Sequence, residues 1–392
     1  MYPHQVERLT EVLQREGLEA LIATTPENCA YVTGFRSMNQ AVYRTRQFGV
    51  FTRRGRALVV PAVDLAAIFA SGVEVDHVTC FGGFVSSYAE PLGKVEERIK
   101  SVADSRRSPT PGAAVAAALE LLGVGSGSVG LDEGYLTPQV WQHVTKTLAS
   151  VTVVPASGHL LGARRVKSPY EIECLERALG IAEESANVVI QMLKPGVTER
   201  DAAAAYEGEV LKRGGRPYGV MIAMGEGSSV PTPPLPTDRQ LRAGDVVRLD
   251  VGCAWNGYHS EVARTAVMGQ PTPRQQTAYD AIQTGLEAGI DAMKPGVPAG
   301  RIFDAAVGAV HSAGLPQFQR GHLGHGIGLE PYERPKLMGG NETQLVAGEV
   351  LRIETPHYEH GWAGLNVKET VLVTGGGGRV LNRSRRGLVV LD

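Results

Sequence analysis

The residues of this chain best suited to chemistry lie in its last third. Asp250 and Glu261 occur in LDVGCAWNGYHSEVART, His322 and His325 in GHLGHGIGLEPYERP, Glu354 in LRIETP, and Lys368 beside Glu369 in LNVKETVLVT. A two-residue turn at Asn256 and Gly257 would pair Trp255 with Tyr258 and set Gly252 opposite Glu261. Asp250 then shares a face with Glu261, diagonally displaced by roughly 7 Å between Cα atoms, close enough for the two acids to share a ligand. Facing carboxylates repel, so the pair calls for a cation. The apolar run VVRLDVGC around Asp250 argues against a solvated pair on an open sheet face.

Several familiar constellations are excluded by spacing. GHLGHGIG lacks the Gly-Lys-Ser/Thr ending and the strand-to-helix context of a phosphate loop, and His322 and His325 do not form HExxH. Cys29, Cys80, Cys174 and Cys253 show no CxxC spacing, so no zinc knuckle or redox pair is expected. Cys253 neighbours Asp250, but strand alternation sends it to the opposite face, which makes it a buried thiol and not a nucleophile.

The elements that must position these residues follow from pattern. Residues 1–158 alternate helices and strands and carry no catalytic constellation. Val6, Leu9, Val12 and Leu13 stripe a first helix that Gly17 ends, FGVFT and ALVVP flank a turn, and further helices start near Thr110 and Thr137. Ser168, Pro169 and Glu171 form a capping box that opens a long helix in a second domain, residues 159–392. That domain repeats internally. QMLKPGVTERDAAAAYEGEVLKRGG returns 100 residues later as DAMKPGVPAGRIFDAAVGAVHSAGL, each copy a helix, a KPGV turn and a second helix ending at glycine. Two related halves about a pseudo-twofold axis are expected, with a site drawn from both.

At 392 residues with 43% hydrophobic and 20% charged content, the chain has the composition of a two-domain globular protein. Its net charge of −2 offers no footprint for nucleic acid or anionic membrane, and no stretch approaches a membrane span. MYPHQVERLT begins an amphipathic helix, unlike a signal peptide, so the expected location is the cytoplasm. The basic residues Arg383, Arg385 and Arg386 are expected in a solvated turn, and the GGGG run at 375–378 in a hairpin turn.

In order and spacing, the segments around Asp250, Glu261, His325, Glu354 and Lys368 resemble the pita-bread family of prolidases, aminopeptidases P, methionine aminopeptidases and creatinase. ENCAYVTGF and RRVKSPYEIE extend the resemblance into the first domain. It implies an α/β (α+β) fold, with a small creatinase-like N-terminal domain and a C-terminal pita-bread domain. In the metallopeptidase members the five positions read Asp, Asp, His, Glu, Glu and hold two divalent metals. Here the second is Glu261 and the fifth Lys368, and a protonated lysine has three donors and no acceptor. Pro233 and Tyr332 stand where peptidase members usually carry substrate-handling histidines.

The resemblance therefore implies a hydrolase in the manner of creatinase, acting on an amide or amidine C–N bond without a metal cofactor. His325 would be the general base or acid, Glu354 and Glu261 would position water or substrate, Lys368 would balance charge, and Asp250 would complete the cleft. His322, Tyr332 and Glu333 would contact the substrate. Three carboxylates against one ammonium favour a small substrate bearing a cationic group. One alternative is an Xaa-Pro metallopeptidase holding Mn, Co or Zn through Asp250, Glu261, His325, Glu354 and Glu369, the last turned inward by a bulge. Another is an inactive homologue that binds a peptide or metabolite. A homodimer is implied by resemblance, and a small molecule or dipeptide is the expected partner.

Overall fold

The computed structural model describes residues 3–233 and 235–392. Its chain divides into two compact units, one ending at Arg164 and the other spanning Arg165–Asp392. The boundary lies later than residue 158 because Ser157–Arg165 is a helix. Buried Arg164 donates from Nη1 to Asn28 Oδ1 at 2.8 Å, and Tyr31 donates to the Ala163 carbonyl at 3.3 Å, tying that helix to the first unit.

The first unit is a seven-stranded mixed sheet with Ala20–Ala23 near its centre, paired antiparallel to Phe48–Thr52 and parallel to Ser128–Leu131. Phe48–Thr52 and Gly55–Pro61 form the expected hairpin. Thr110 and Thr137 cap their helices by accepting from Ala113 and Val140. Leu9, Val12 and Leu13 of the first helix are buried, whereas Val6 is exposed and lies off the stripe.

The second unit shows the repeat in three dimensions. Pro169–Met192 and Glu199–Lys212 make one helix pair, Pro273–Ala292 and Ala299–Ser312 the other. In each copy the glycine of KPGV has positive φ, +93° at Gly196 and +84° at Gly296, which glycine adopts without a Cβ penalty. Their amides donate to Leu241 and Leu345 carbonyls at 2.9 and 2.8 Å, matched bonds in the two halves. The helix pairs cover a nine-stranded sheet whose main order runs Glu333–Lys336, Gly324–Gly326, Val350–Glu354, Lys368–Thr374, Tyr258–Met268, Val246–Trp255, Arg216–Met224. Val389–Leu391 pairs with Tyr258–Met268, and Gly377–Val380 returns on Lys368–Thr374 through the expected glycine turn. One apolar core lies under each helix pair.

Candidate active site

The hairpin register is the expected one: Trp255 opposes Tyr258 and Glu261 opposes Gly252. Gly252 leaves no room for a side chain, since a Cβ there would lie 2.2 Å from the Ser260 carbonyl oxygen. Asp250 and Glu261 face a common space, which Glu354 and Lys368 enter from two further strands as a register-paired couple. Lys368 is buried among the acids. Its Nζ donates to Asp250 Oδ1 at 2.6 Å and Glu261 Oε2 at 2.9 Å, and lies 3.5 Å from Glu354 Oε2. Asn366 donates to Asp250 Oδ2 at 3.1 Å and Glu354 Oε2 at 3.3 Å.

A second cation occupies the site. Arg352 is buried two residues before Glu354 on the same strand face, with Nη1 3.0 Å from both Glu261 Oε2 and Glu354 Oε2. Its Nε donates to His325 Nε2 at 3.1 Å, and Nη2 meets the same nitrogen. Arginine only donates, so Nε2 must accept and the ring proton sits on Nδ1, which donates to the Gly326 carbonyl at 2.8 Å. Glu261 and Glu354 thus bridge Lys368 on one side and Arg352 on the other. Arg352 has two signals in the sequence: its alternation with Glu354, and the match of AGEVLRIE to AGDVVRLD, which places Arg352 opposite Arg248 in the repeat.

The electrostatics follow. Burial, then the Arg352 charge, depresses His325 to about 3, so the imidazole is neutral. Burial favours protonation of Glu261 and Glu354, but Lys368 and Arg352 outweigh it and hold both carboxylates ionised. Lys368 is opposed by burial and Arg352, yet the three carboxylates win and raise it. The site carries three negative against two positive charges, a smaller excess than a single ammonium would leave.

The other expected residues divide. Tyr332 lies with its ring 3.5 Å from that of His325, and its hydroxyl is 3.2 Å from His322 Nε2, so both belong to the rim of the site. Glu333 is not brought together with them. It is buried against Lys167, whose Nζ donates at 2.8 Å, because alternation turns it away from Tyr332's side. Glu369 also points away, with no bulge between it and its partner Ile353. Its carboxylate is 3.0 Å from Arg264 and 3.5 Å from Arg386, and burial pushes it up to about 7. Arg386 is therefore half-buried and paired, not simply solvated. Cys253 is buried on the opposite face from Asp250, with Sγ 3.2 Å from the Ala178 carbonyl, and burial pushes its thiol up to about 11. Pro233 follows a stretch held by Arg248, which donates to the carbonyls of Val230 at 2.6 Å and Pro231 at 3.2 Å.

Comparison with known proteins identifies the family to which this fold belongs. Residues 173–375 match the model for metallopeptidase family M24, and residues 5–166 that for the creatinase/prolidase N-terminal domain. The chain belongs to family M24. An uncharacterized peptidase of Staphylococcus saprophyticus is 26% identical over 381 residues, 96% of this chain and 98% of that protein. A Xaa-Pro dipeptidase of Pyrococcus furiosus is 32% identical over 229 residues, 58% of this chain and 65% of that protein. Among solved structures, a Xaa-Pro dipeptidase from Bacillus anthracis superposes with a TM-score of 0.82 at 20% identity, covering 99% of both chains. At that identity the likeness speaks for the fold. This M24 protein is a hydrolase of the pita-bread type.

Two divalent metals do not fit the M24 residues as they stand here. Metal–oxygen bonds of about 2.0–2.6 Å require carboxylate lone pairs converging on one point. Here they converge on the Lys368 ammonium and the Arg352 guanidinium, and the His325 lone pair is spent on Arg352. Among the described residues, no three His, Cys, Asp or Glu side chains form a ligand cluster.

Proposed function

We propose that this M24 protein hydrolyses a C–N bond of a small substrate, of dipeptide size or less, without a dinuclear metal centre. The observation that carries this reading is the pair of bridging carboxylates, Glu261 and Glu354, each shared between Lys368 and Arg352. Two side-chain cations then supply positive charge where the family's peptidases place metals. Preorganised donors of this kind stabilise an oxyanion developing on an attacked carbonyl or amidine carbon. His325, neutral and with Nε2 engaged, serves better to hold Arg352 than to take a proton from water. His322 and Tyr332, in mutual contact at the rim, are the groups that retain a transferable proton. The small negative excess weakens the case for a cationic substrate, and a neutral amide suits the site equally.

The names of the relatives favour a second reading, an Xaa-Pro dipeptidase using a divalent metal. With Glu369 turned to Arg264, that reading requires both Lys368 and Arg352 to withdraw from the carboxylates. Family membership favours hydrolysis over an inactive binding homologue. A homodimer located in the cytoplasm completes the proposal, by resemblance to prolidase and creatinase members. The deciding experiment is elemental analysis of protein purified without added metal, with turnover of Xaa-Pro dipeptides and small amides measured with and without chelator. Chelator-resistant turnover with substoichiometric metal supports the first reading. Chelator-sensitive turnover with two metals per chain overturns it.

A further inference from the structure

A cavity of about 680 Å³ opens beside Tyr358, within the roughly 300–1,000 Å³ of small-molecule sites. It lies in the second unit, between the start of the Pro273–Ala292 helix, the turn at 314–320 and the ladder of His357–Glu359 with Ala363–Leu365. None of the proposed reacting groups lines it. Its walls include the rings of Phe318, Tyr358 and Trp362 and two arginines whose circumstances differ. Arg274 stacks 4.1 Å from the Trp362 ring centroid and is ion-paired to Glu359, so its charge is matched. Arg320 stacks 5.1 Å from the Tyr358 centroid, but its buried Nε has no hydrogen-bond partner, and no carboxylate among the described residues pairs with it.

Arg320 is half-buried, and a cation withdrawn from water without an acid is costly unless something completes it. Its guanidinium presents a fork that matches a carboxylate in two hydrogen bonds. Tyr358 is held in place before any ligand arrives. Its hydroxyl accepts from Arg248 Nη1 at 3.0 Å, and the Arg248 guanidinium lies 4.9 Å from the ring. Trp362 is covered by the Arg274 guanidinium, without a hydrogen bond between them. The cavity thus joins an uncompensated fork of donors to preset aromatic surface, and its acid, Glu359, is already engaged.

We propose that this cavity is a binding site for a small planar molecule bearing a carboxylate, the carboxylate on Arg320 and the planar body against Tyr358 and Trp362. The ion-paired acids, Lys368 and Arg352 do not line it, although Arg320 lies within electrostatic reach of His322, and Tyr358 within that of Glu354 and Asp250. The test is ligand-observed NMR titration of the full chain with benzoate, with benzyl alcohol as the ring without the charge and acetate as the charge without the ring. Benzoate should saturate and bind more tightly than either control. Arg320→Gln should weaken it at least about tenfold, the loss expected for a charged hydrogen-bonded contact, and Arg320→Lys should weaken it less. Circular dichroism should show both variants folded. Trp362→Leu should also weaken benzoate while leaving acetate unchanged. Benzoate binding that survives Arg320→Gln, benzyl alcohol binding equal to benzoate, or no saturable binding of benzoate overturns the proposal.

Discussion

The two halves of the second unit carry the same strand, AGDVVRLD in one and AGEVLRIE in the other, and put its arginine to opposite uses. Arg248 and Arg352 each stand two residues before an acid of the site, on the acid's own face, and both are buried. Arg248 turns away from the acids, towards the carbonyls of Val230 and Pro231 and the Tyr358 hydroxyl, and so anchors the segment that leads into the proline-rich loop. Arg352 finds no such carbonyls and extends between Glu261, Glu354 and His325. Closely similar local sequence thus yields a structural tie in one half and a charge inside the site in the other. What separates them is which acceptors the neighbouring strands present.

This contrast predicts unequal costs. Arg352→Met leaves two buried carboxylates with one cation between them and should destabilise the protein by about 3–5 kcal/mol. Arg248→Met removes hydrogen bonds to neutral acceptors and should cost about 1–3 kcal/mol. Urea unfolding of the two variants ranks them, and a larger loss for Arg248→Met would invert the comparison.

Metal affinity sharpens it further. Lys368→Glu restores an acid at the fifth position but leaves Arg352 among the carboxylates, so calorimetry should detect little manganese binding. The double variant Arg352→Ser with Lys368→Glu should bind manganese stoichiometrically. Equal binding by the single and double variants would mean that Arg352 moves aside freely.

Protonation offers a smaller, graded test. Unfolded His325 takes up a proton below its ordinary value of about 6.5, while the folded ring, held to about 3, does not. Its contribution to stability is therefore complete above pH 6.5 and is lost as the pH falls from there towards 3, by up to about 1.4 kcal/mol per unit. The His325 ring resonances should not titrate between pH 8 and pH 5 in NMR spectra of the native protein, and should begin to do so in Arg352→Met. The smallest effects belong to residues facing away. Cys253→Ala should unfold within about 2 kcal/mol of the parent and keep its turnover, because its thiol packs against Ala178 on the far side of the sheet.

The order of helices, the KPGV repeat, the hairpin register around Asn256 and Gly257 and the burial of Cys253 were all legible in the chain, because each rests on short-range periodicity or turn chemistry. The convergence of Asp250, Glu261, His325, Glu354 and Lys368 was legible only through the spacing of several motifs together. Three things were not. Glu333 reads as a rim acid until Lys167, 166 positions earlier, is found beside it. Lys368 and Glu369 compete on paper for one inward position, and only pairing with Glu354 and Ile353 decides between them, since a slip of one residue would exchange their faces. Arg352 shares a strand face with Glu354 and matches Arg248 in the repeat, but neither signal says that it enters the site, since Arg248 does not. Its place in the site depends on where the hairpin acids and the glycine-rich His325 strand leave an unbalanced charge. Sequence by itself determined which groups could react and which strands carry them. Tertiary structure decided how the charges pair, because electrostatic energy depends on distances across strands that no local pattern encodes.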